Sequence, residues 1–185
     1  MAGLSLAACS GNTQEAQPAR TATTSGPADA AAGIQWTAPQ GWQRQATRPM
    51  RAATYAIPAA EGDSESAECA VYYFGQGQGG SVEANIRRWI SQFEQPDGPP
   101  IGEAAKPEKT TINGFDVTTL KLSGTYLASA GPMSPVQEKK PGFRMLGAIV
   151  EAPQGPVFFK MAGPAKTVAK AEGDFEAMLE SLKRQ

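Results

Sequence analysis

The side chains that could carry chemistry are few, and their spacing argues against a catalytic centre. The 185-residue chain has no histidine. Ser-His-Asp and Cys-His nucleophile systems, His-ligated zinc and His-based pH switching all need an imidazole, so none of them fits. The cysteines are Cys9 and Cys69 alone, too few for a Cys-rich metal site and without a CxxC pair. Serines are plentiful, but none sits in a G-x-S-x-G elbow. Glu61, Asp63, Glu65 and Glu68 crowd together, yet their order departs from a calcium loop and reads as a solvated turn. No catalytic residue, metal site or cofactor site is expected.

Two stretches remain as places where another molecule could touch the chain. Gly75-Gln76-Gly77-Gln78-Gly79-Gly80 lies between a strand pattern and a helix pattern, where phosphate loops lie. No Gly-Lys-Ser/Thr follows, so the favoured reading is a permissive turn whose lack of bulk lets a partner approach the backbone. Gly124 to Gly142 reads as the longest irregular segment of the domain. It carries Tyr126, Met133, Lys139 and Lys140, and long loops inside compact domains are often functional. These ten residues are the expected partner contacts. Arg44, Arg48 and Arg51 read as a scattered solvated face. Cys69, Trp36, Trp42 and Trp89 read as packing.

The elements that must position these residues follow from periodicity. Ile34-Gln35-Trp36 alternates as a strand, and Met50 to Ile57 continues with Ala53, Tyr55 and Ile57 on one face. Glu68 to Phe74 is rich in aromatic and β-branched residues. Ser81 is a good N-cap for a helix whose apolar face is Val82, Ile86, Trp89, Ile90 and Phe93. Pro96 to Pro100 ends it. Lys109 to Leu122 turns at Asn113-Gly114, the pair that a type I′ hairpin needs. Phe143 to Val150 is apolar on both faces, as a central strand is. Val157, Phe159 and Met161 form one face of a last strand. Val168, Ala171, Phe175, Met178, Leu179 and Leu182 then follow at helical spacing to Lys183. That closing segment looks fully committed to packing, with little left for chemistry. The order β-β-β-α-β-β-β-β-α gives an α+β domain, an antiparallel sheet flanked by two main helices.

Before Ile34 the chain changes character. Leu6-Ala7-Ala8-Cys9 resembles a bacterial lipobox, which is cut before a cysteine that becomes lipidated. No Lys or Arg precedes it and the apolar run is short, so the expectation is a remnant signal over residues 1–9 whose start lies upstream of Met1. Residues 10–33 are small and polar with no large apolar side chain, so a disordered tether of roughly 25–30 Å mean span is expected. Residues 34–185 form the single domain. A net charge of −1 at pH 7 argues against nucleic acid as a partner.

Several of these pieces together resemble the PsbP-like α/β/α sandwich superfamily. They are Pro39-Gln40-Gly41-Trp42, the mid-chain helix, the Asn-Gly hairpin, the Phe158-Phe159 strand and the Phe175…Met178-Leu179…Ser181-Leu182 helix. The resemblance covers about Ile34 to Lys183 in pattern. It implies a non-enzymatic fold family that includes photosystem accessory proteins and small-GTPase-binding factors, with no catalytic residue to carry over. The expected protein is an envelope lipoprotein. Its acylated Cys9 meets the membrane, Ser10 is compatible with outer-membrane sorting, and its domain binds a protein partner. The rival expectations are a carrier or sensor of a small apolar ligand, and a His-free hydrolase using carboxylates such as Glu68 or Glu151.

Overall fold

The computed structural model describes residues 28–94, 105–129 and 137–185. Cys9, most of the expected tether and Met133 lie outside them. The strands are β1 (Ala28–Ala31), β2 (Ile34–Thr37), β3 (Gln43–Arg44), β4 (Arg51–Ile57), β5 (Ala67–Tyr72), β6 (Phe93–Glu94), β7 (Glu108–Ile112), β8 (Phe115–Ser129), β9 (Gln137–Ala152), β10 (Gly155–Pro164) and β11 (Lys183–Arg184). The helices are α1 (Val82–Ile90), α2 (Ala165–Lys170) and α3 (Glu172–Glu180). None of them is long and apolar enough to cross a membrane.

All pairings are antiparallel. The main sheet runs β3-β4-β5-β10-β9-β8-β6, and β7 also pairs with β8. A small sheet, β1-β2-β11, closes one side. Successive residues of a strand point to opposite faces, and β10 shows what each face meets. Val157, Phe159 and Met161 pack with Val168, Phe175, Met178 and Leu182 of the C-terminal segment. Phe158 points the other way, to Ile86, Trp89 and Phe93. The result is helix on one face and helices on the other, with β9 and β10 central.

Ser81 caps α1 as expected, its hydroxyl accepting from the Ala84 N–H at 3.2 Å. The helix ends three residues early, at Ile90, and Phe93 stays buried by starting β6 instead. What seats α1 is Trp89 lying directly on the backbone of Gly147: a Cβ built at Gly147 would come within 2.4 Å of the Trp89 ring. Gly147→Ala should therefore push α1 off the sheet and cost about 1–3 kcal/mol, as overpacking does. Urea unfolding measures this. An unchanged midpoint would mean that Trp89 is not held there.

Four sequence expectations need correction. The domain begins before Ile34, because residues 28–31 of the expected tether form β1 against β2. Long-range contacts hold β1: Asp29 accepts from the Arg44 guanidinium at 2.5 Å and from the buried Tyr55 hydroxyl. The stretch from Gly124 to Gly142 is not one irregular segment, since β8 and β9 stay paired as far as Ser129 opposite Gln137. The C-terminal run is two helices and a short strand, not one helix to Lys183. The chain breaks at Ala171 (φ −89°, ψ 0°), and Lys183 pairs with Gln35. The acidic turn is not simply solvated. Asp63 accepts from the Thr167 N–H at 2.8 Å in the first turn of α2, while Glu65 and Glu68 pair with cations.

Candidate functional site

Helix α1 spans nine residues and covers only part of its face of the main sheet. Beyond its C-terminal end the sheet carries an open trough of about 230 Å3. Its floor is small, with Ala70, Ala128 and Ala162, and its walls are Tyr72, Tyr126 and Phe143. Three cations line it, Arg51, Lys140 and Lys160, against two carboxylates, Glu65 and Glu68.

Two of the cations are there because of β-bulges. On β4, Ala53, Tyr55 and Ile57 face the core, so strict alternation would send Arg51 into it. The register shifts between Arg51 and Ala53. The inserted residue turns Arg51 to the trough face, where its guanidinium lies 5.3 Å from the Tyr72 ring centre. On β9, Phe143 and Met145 face α1, so alternation would bring Lys139 to that face. Gly124 pairs with Phe143 but Tyr126 pairs with Lys140, so β9 holds one extra residue there. Gly142 supplies the positive φ of 71°. Lys140 thereby lines the trough, and Lys139 pairs outward with Glu94 at 2.7 Å.

Lys160 needs no bulge. It alternates with Phe158 and Ala162 on a central strand, in a row that is otherwise apolar. It donates to Gln92 Oε1 at 2.5 Å and to the Tyr126 hydroxyl at 3.3 Å, and it lies 5.2 Å from the Tyr126 ring centre. The neighbouring cations have carboxylates: Arg51 pairs with Glu68 and Lys140 with Glu65, both at 2.7 Å. Arg48 also reaches Glu68, at 3.3 Å. Among the described residues Lys160 has no carboxylate within ion-pair distance. Burial, aided by Arg51 and Arg88 and opposed by Glu68, pushes its ammonium down from the ordinary 10.5 to about 8. Burial likewise raises the phenols of Tyr72 and Tyr126.

A second cavity, of about 140 Å3, adjoins the trough and shares Tyr72 and Lys160 with it. Its other walls are Phe74, Phe158 and Trp89, with Asn85, Arg88 and Gln92 at its polar side. Asn85, itself buried, donates to the carbonyls of Gly79 and Ser81 at 2.8 and 2.9 Å and accepts from Arg88. The glycine stretch thus holds the residue that places Arg88.

Of the expected contacts, Tyr126 and Lys140 come together in the trough. Lys139 does not, and Met133 lies outside the described residues. Gly75, Gly77, Gly79 and Gly80 all adopt positive φ, and a Cβ at Gly79 would meet Phe158 at 2.9 Å. Gln76 and Gln78 are exposed spacers between them. Gly80 and Ser81 do border a cavity of about 630 Å3 at the start of α1. Its charged lining is Glu83, Asp116 and Glu151 against Lys109, which repels a phosphate. No group of three or more metal-binding side chains occurs among the described residues. Cys69 is fully buried, and burial pushes its thiol far above the ordinary range, so it is inert packing.

Lys160, Arg88, Tyr72 and Gln92 were not expected as site residues. Lys160 had one signal in the sequence, a lysine in the middle of Val157-Phe158-Phe159-Lys160-Met161. A charge in the middle of an apolar central strand needs a reason. The apolar residues of that segment pack as expected, while its Lys160 lines both cavities.

No protein-family model matches the chain, and no curated protein matches it. The chain is similar in structure to the cyanobacterial PsbP protein (CyanoP) of Synechocystis sp. PCC 6803. The TM-score is 0.50 and the identity 10%, over 92% of this chain and 98% of that one. A protein of Bacteroides thetaiotaomicron aligns at a TM-score of 0.41 and 11% identity, over 88% of this chain and 49% of that one. At such identity a likeness speaks of fold alone. With its antiparallel main sheet between α1 and the α2–α3 pair, the chain has a PsbP-like α+β fold.

Proposed function

We propose that this chain is a non-enzymatic binding protein of the bacterial cell envelope. Acylated Cys9 holds it at the membrane, and the trough around Lys160 engages a protein partner. The observation that carries the binding reading is Lys160: a half-buried ammonium with no carboxylate partner among the described residues, between two cavities, on a sheet face that α1 leaves open. A desolvated, unmatched charge costs stability, and a site that receives an anion is a reason to retain it. The anchor rests on the Leu6-Ala7-Ala8-Cys9 motif, and stable attachment takes more than one acyl chain.

The two rival readings have less support. A carrier of a small apolar ligand needs a mainly apolar cavity of about 300–1,000 Å3. The cavity of about 100 Å3 beside Phe175 and Leu179 is too small, and the one of about 630 Å3 at the start of α1 is not mainly apolar, with Glu83, Lys109, Asp116 and Glu151 in its lining. A carboxylate hydrolase needs two carboxylates across one cleft. Glu68 is tied to Arg51 and Arg48 in the trough, whereas Glu151 borders the separate cavity at the start of α1.

A photo-crosslinking residue at Ala128, in the native host's envelope, tests the partner reading. The expected result is one discrete protein adduct that is lost when Lys160→Met is added. Adducts from Gly77 but not from Ala128 would move the contact to the glycine stretch and overturn the site. Mass spectrometry of the same membrane fraction should find Cys9 acylated. An unmodified Cys9 in a soluble product would overturn the anchor.

A further inference from the structure

We infer that the two cavities joined at Lys160 form one recognition site for an aromatic residue that carries an adjacent carboxylate, as at the C-terminus of a peptide or in an acidic-aromatic pair. The inference rests on the binding function proposed above and names what that partner presents.

The geometry divides the work between the two cavities. The smaller one, about 140 Å3, is walled by Phe74, Trp89, Phe158 and Tyr72. It is open and its lining is mixed, four aromatic rings against Asn85, Arg88, Gln92 and Lys160, with room for about a single phenyl ring. Its walls already show the ring contacts that an aromatic guest would extend: Tyr72 stacks on Phe74 at 6.0 Å, and Phe74 meets Phe158 at 5.7 Å. Lys160 and Arg88 line the same cavity. Lys160 uses two of its three donors on Gln92 and Tyr126, both neutral, and has no charged partner among the described residues, so a ligand carboxylate would be its first. Arg51 and Lys140 are engaged by Glu68 and Glu65. Those two carboxylates border the wider trough and disfavour a second negative charge there. The anion is thus directed to Lys160, and the ring beside it to the aromatic cavity.

Inorganic phosphate meets only half of this site, because it leaves the aromatic cavity empty. An aromatic amide fills the cavity and leaves the ammonium unmatched. The joint requirement follows from Lys160 and Tyr72 lining both cavities.

NMR titration of the 15N-labelled full chain is the test. The probes are N-acetyl-phenylalanine, N-acetyl-phenylalanine amide, N-acetyl-aspartyl-phenylalanine amide and inorganic phosphate. At least one of the two carboxylate probes should give saturable shifts at Tyr72, Arg88 and Lys160. The better of them should bind about tenfold or more tightly than the uncharged amide and than phosphate, the range of a charge-assisted contact. Whichever wins identifies the source as a chain terminus or a side-chain carboxylate. Lys160→Met should remove the preference over the amide, and Lys160→Arg should keep it. Equal binding of acid and amide, phosphate binding as tightly as either acid, or shifts confined to Gly80 and Thr110 would overturn the inference. If no carboxylate probe binds while the Ala128 crosslink still forms, this inference falls and the binding function stands. If both fail, both fall.

Discussion

Lys160→Met should make the protein more stable at pH 7. The ammonium is half-buried, has no carboxylate partner among the described residues, and sits near Arg51 and Arg88. Methionine is a flexible apolar side chain that can occupy the same space on the sheet without the charge. Gln92 and Tyr126 lose a donor, but both are partly exposed and can turn to water. The folded-state pKa is about 8 against an ordinary 10.5. The unfolded chain therefore binds more protons than the folded one between those values, and stability rises with pH across that window. Below pH 8 the full cost is present, on the order of 2 kcal/mol after discounting for screening by solvent. Thermal melts at pH 7 should place the variant several degrees above the parent. The gap should close as pH approaches 10, where the parent lysine is neutral in the fold. A variant that melts lower at pH 7, or a gap that ignores pH, would show that Lys160 is a satisfied structural residue. More stable but unable to discriminate carboxylates is the combination expected of a residue kept for binding.

Phe175→Asp should have the largest effect on folding. Phe175 is 3% exposed and packs between α3 and the core face of the sheet, opposite the trough. Removing its ring alone should cost about 3–5 kcal/mol, and a carboxylate in that position adds an uncompensated buried charge. Domains of this size commonly have about 5–15 kcal/mol in total, so the variant should be largely unfolded. Near-UV circular dichroism and urea unfolding measure this. A folded variant that had lost only ligand binding would contradict the division between a packing face and a binding face.

That division was partly legible in the residue pattern. Val157, Phe159 and Met161 alternate, and Ile86 and Trp89 share one helical face. Asn113-Gly114 turns with positive φ at both residues, and the Asn113 side chain donates to the Glu180 and Leu182 carbonyls. Each of these signals is local. What stayed hidden depends on a partner strand. The bulges that expose Arg51 and bring Lys140 round are defined only against β5 and β8. Ala28–Ala31 has no strand-like composition and becomes a strand through β2 and the Asp29 contacts. The polar, glycine-bearing stretches that flank Tyr126 and Lys140 look like loop, yet each is held extended by the other. Lys160 stands out in the sequence only as a lysine among apolar strand residues, and its meaning needs the short reach of α1, which among the described residues leaves that part of the sheet uncovered.

The most direct measurement is the pKa of Lys160 itself, followed through its side-chain 13Cε and 15Nζ resonances in the free chain and in the chain saturated with the tighter of the two carboxylate probes. A ligand that binds the charged ammonium better than the neutral amine must raise that pKa, by one unit for each tenfold preference. The expected free value is near 8, and the expected bound value is at least about one unit higher. A bound value equal to or below the free one would contradict the proposed contact, because the carboxylate would then not be held by Lys160.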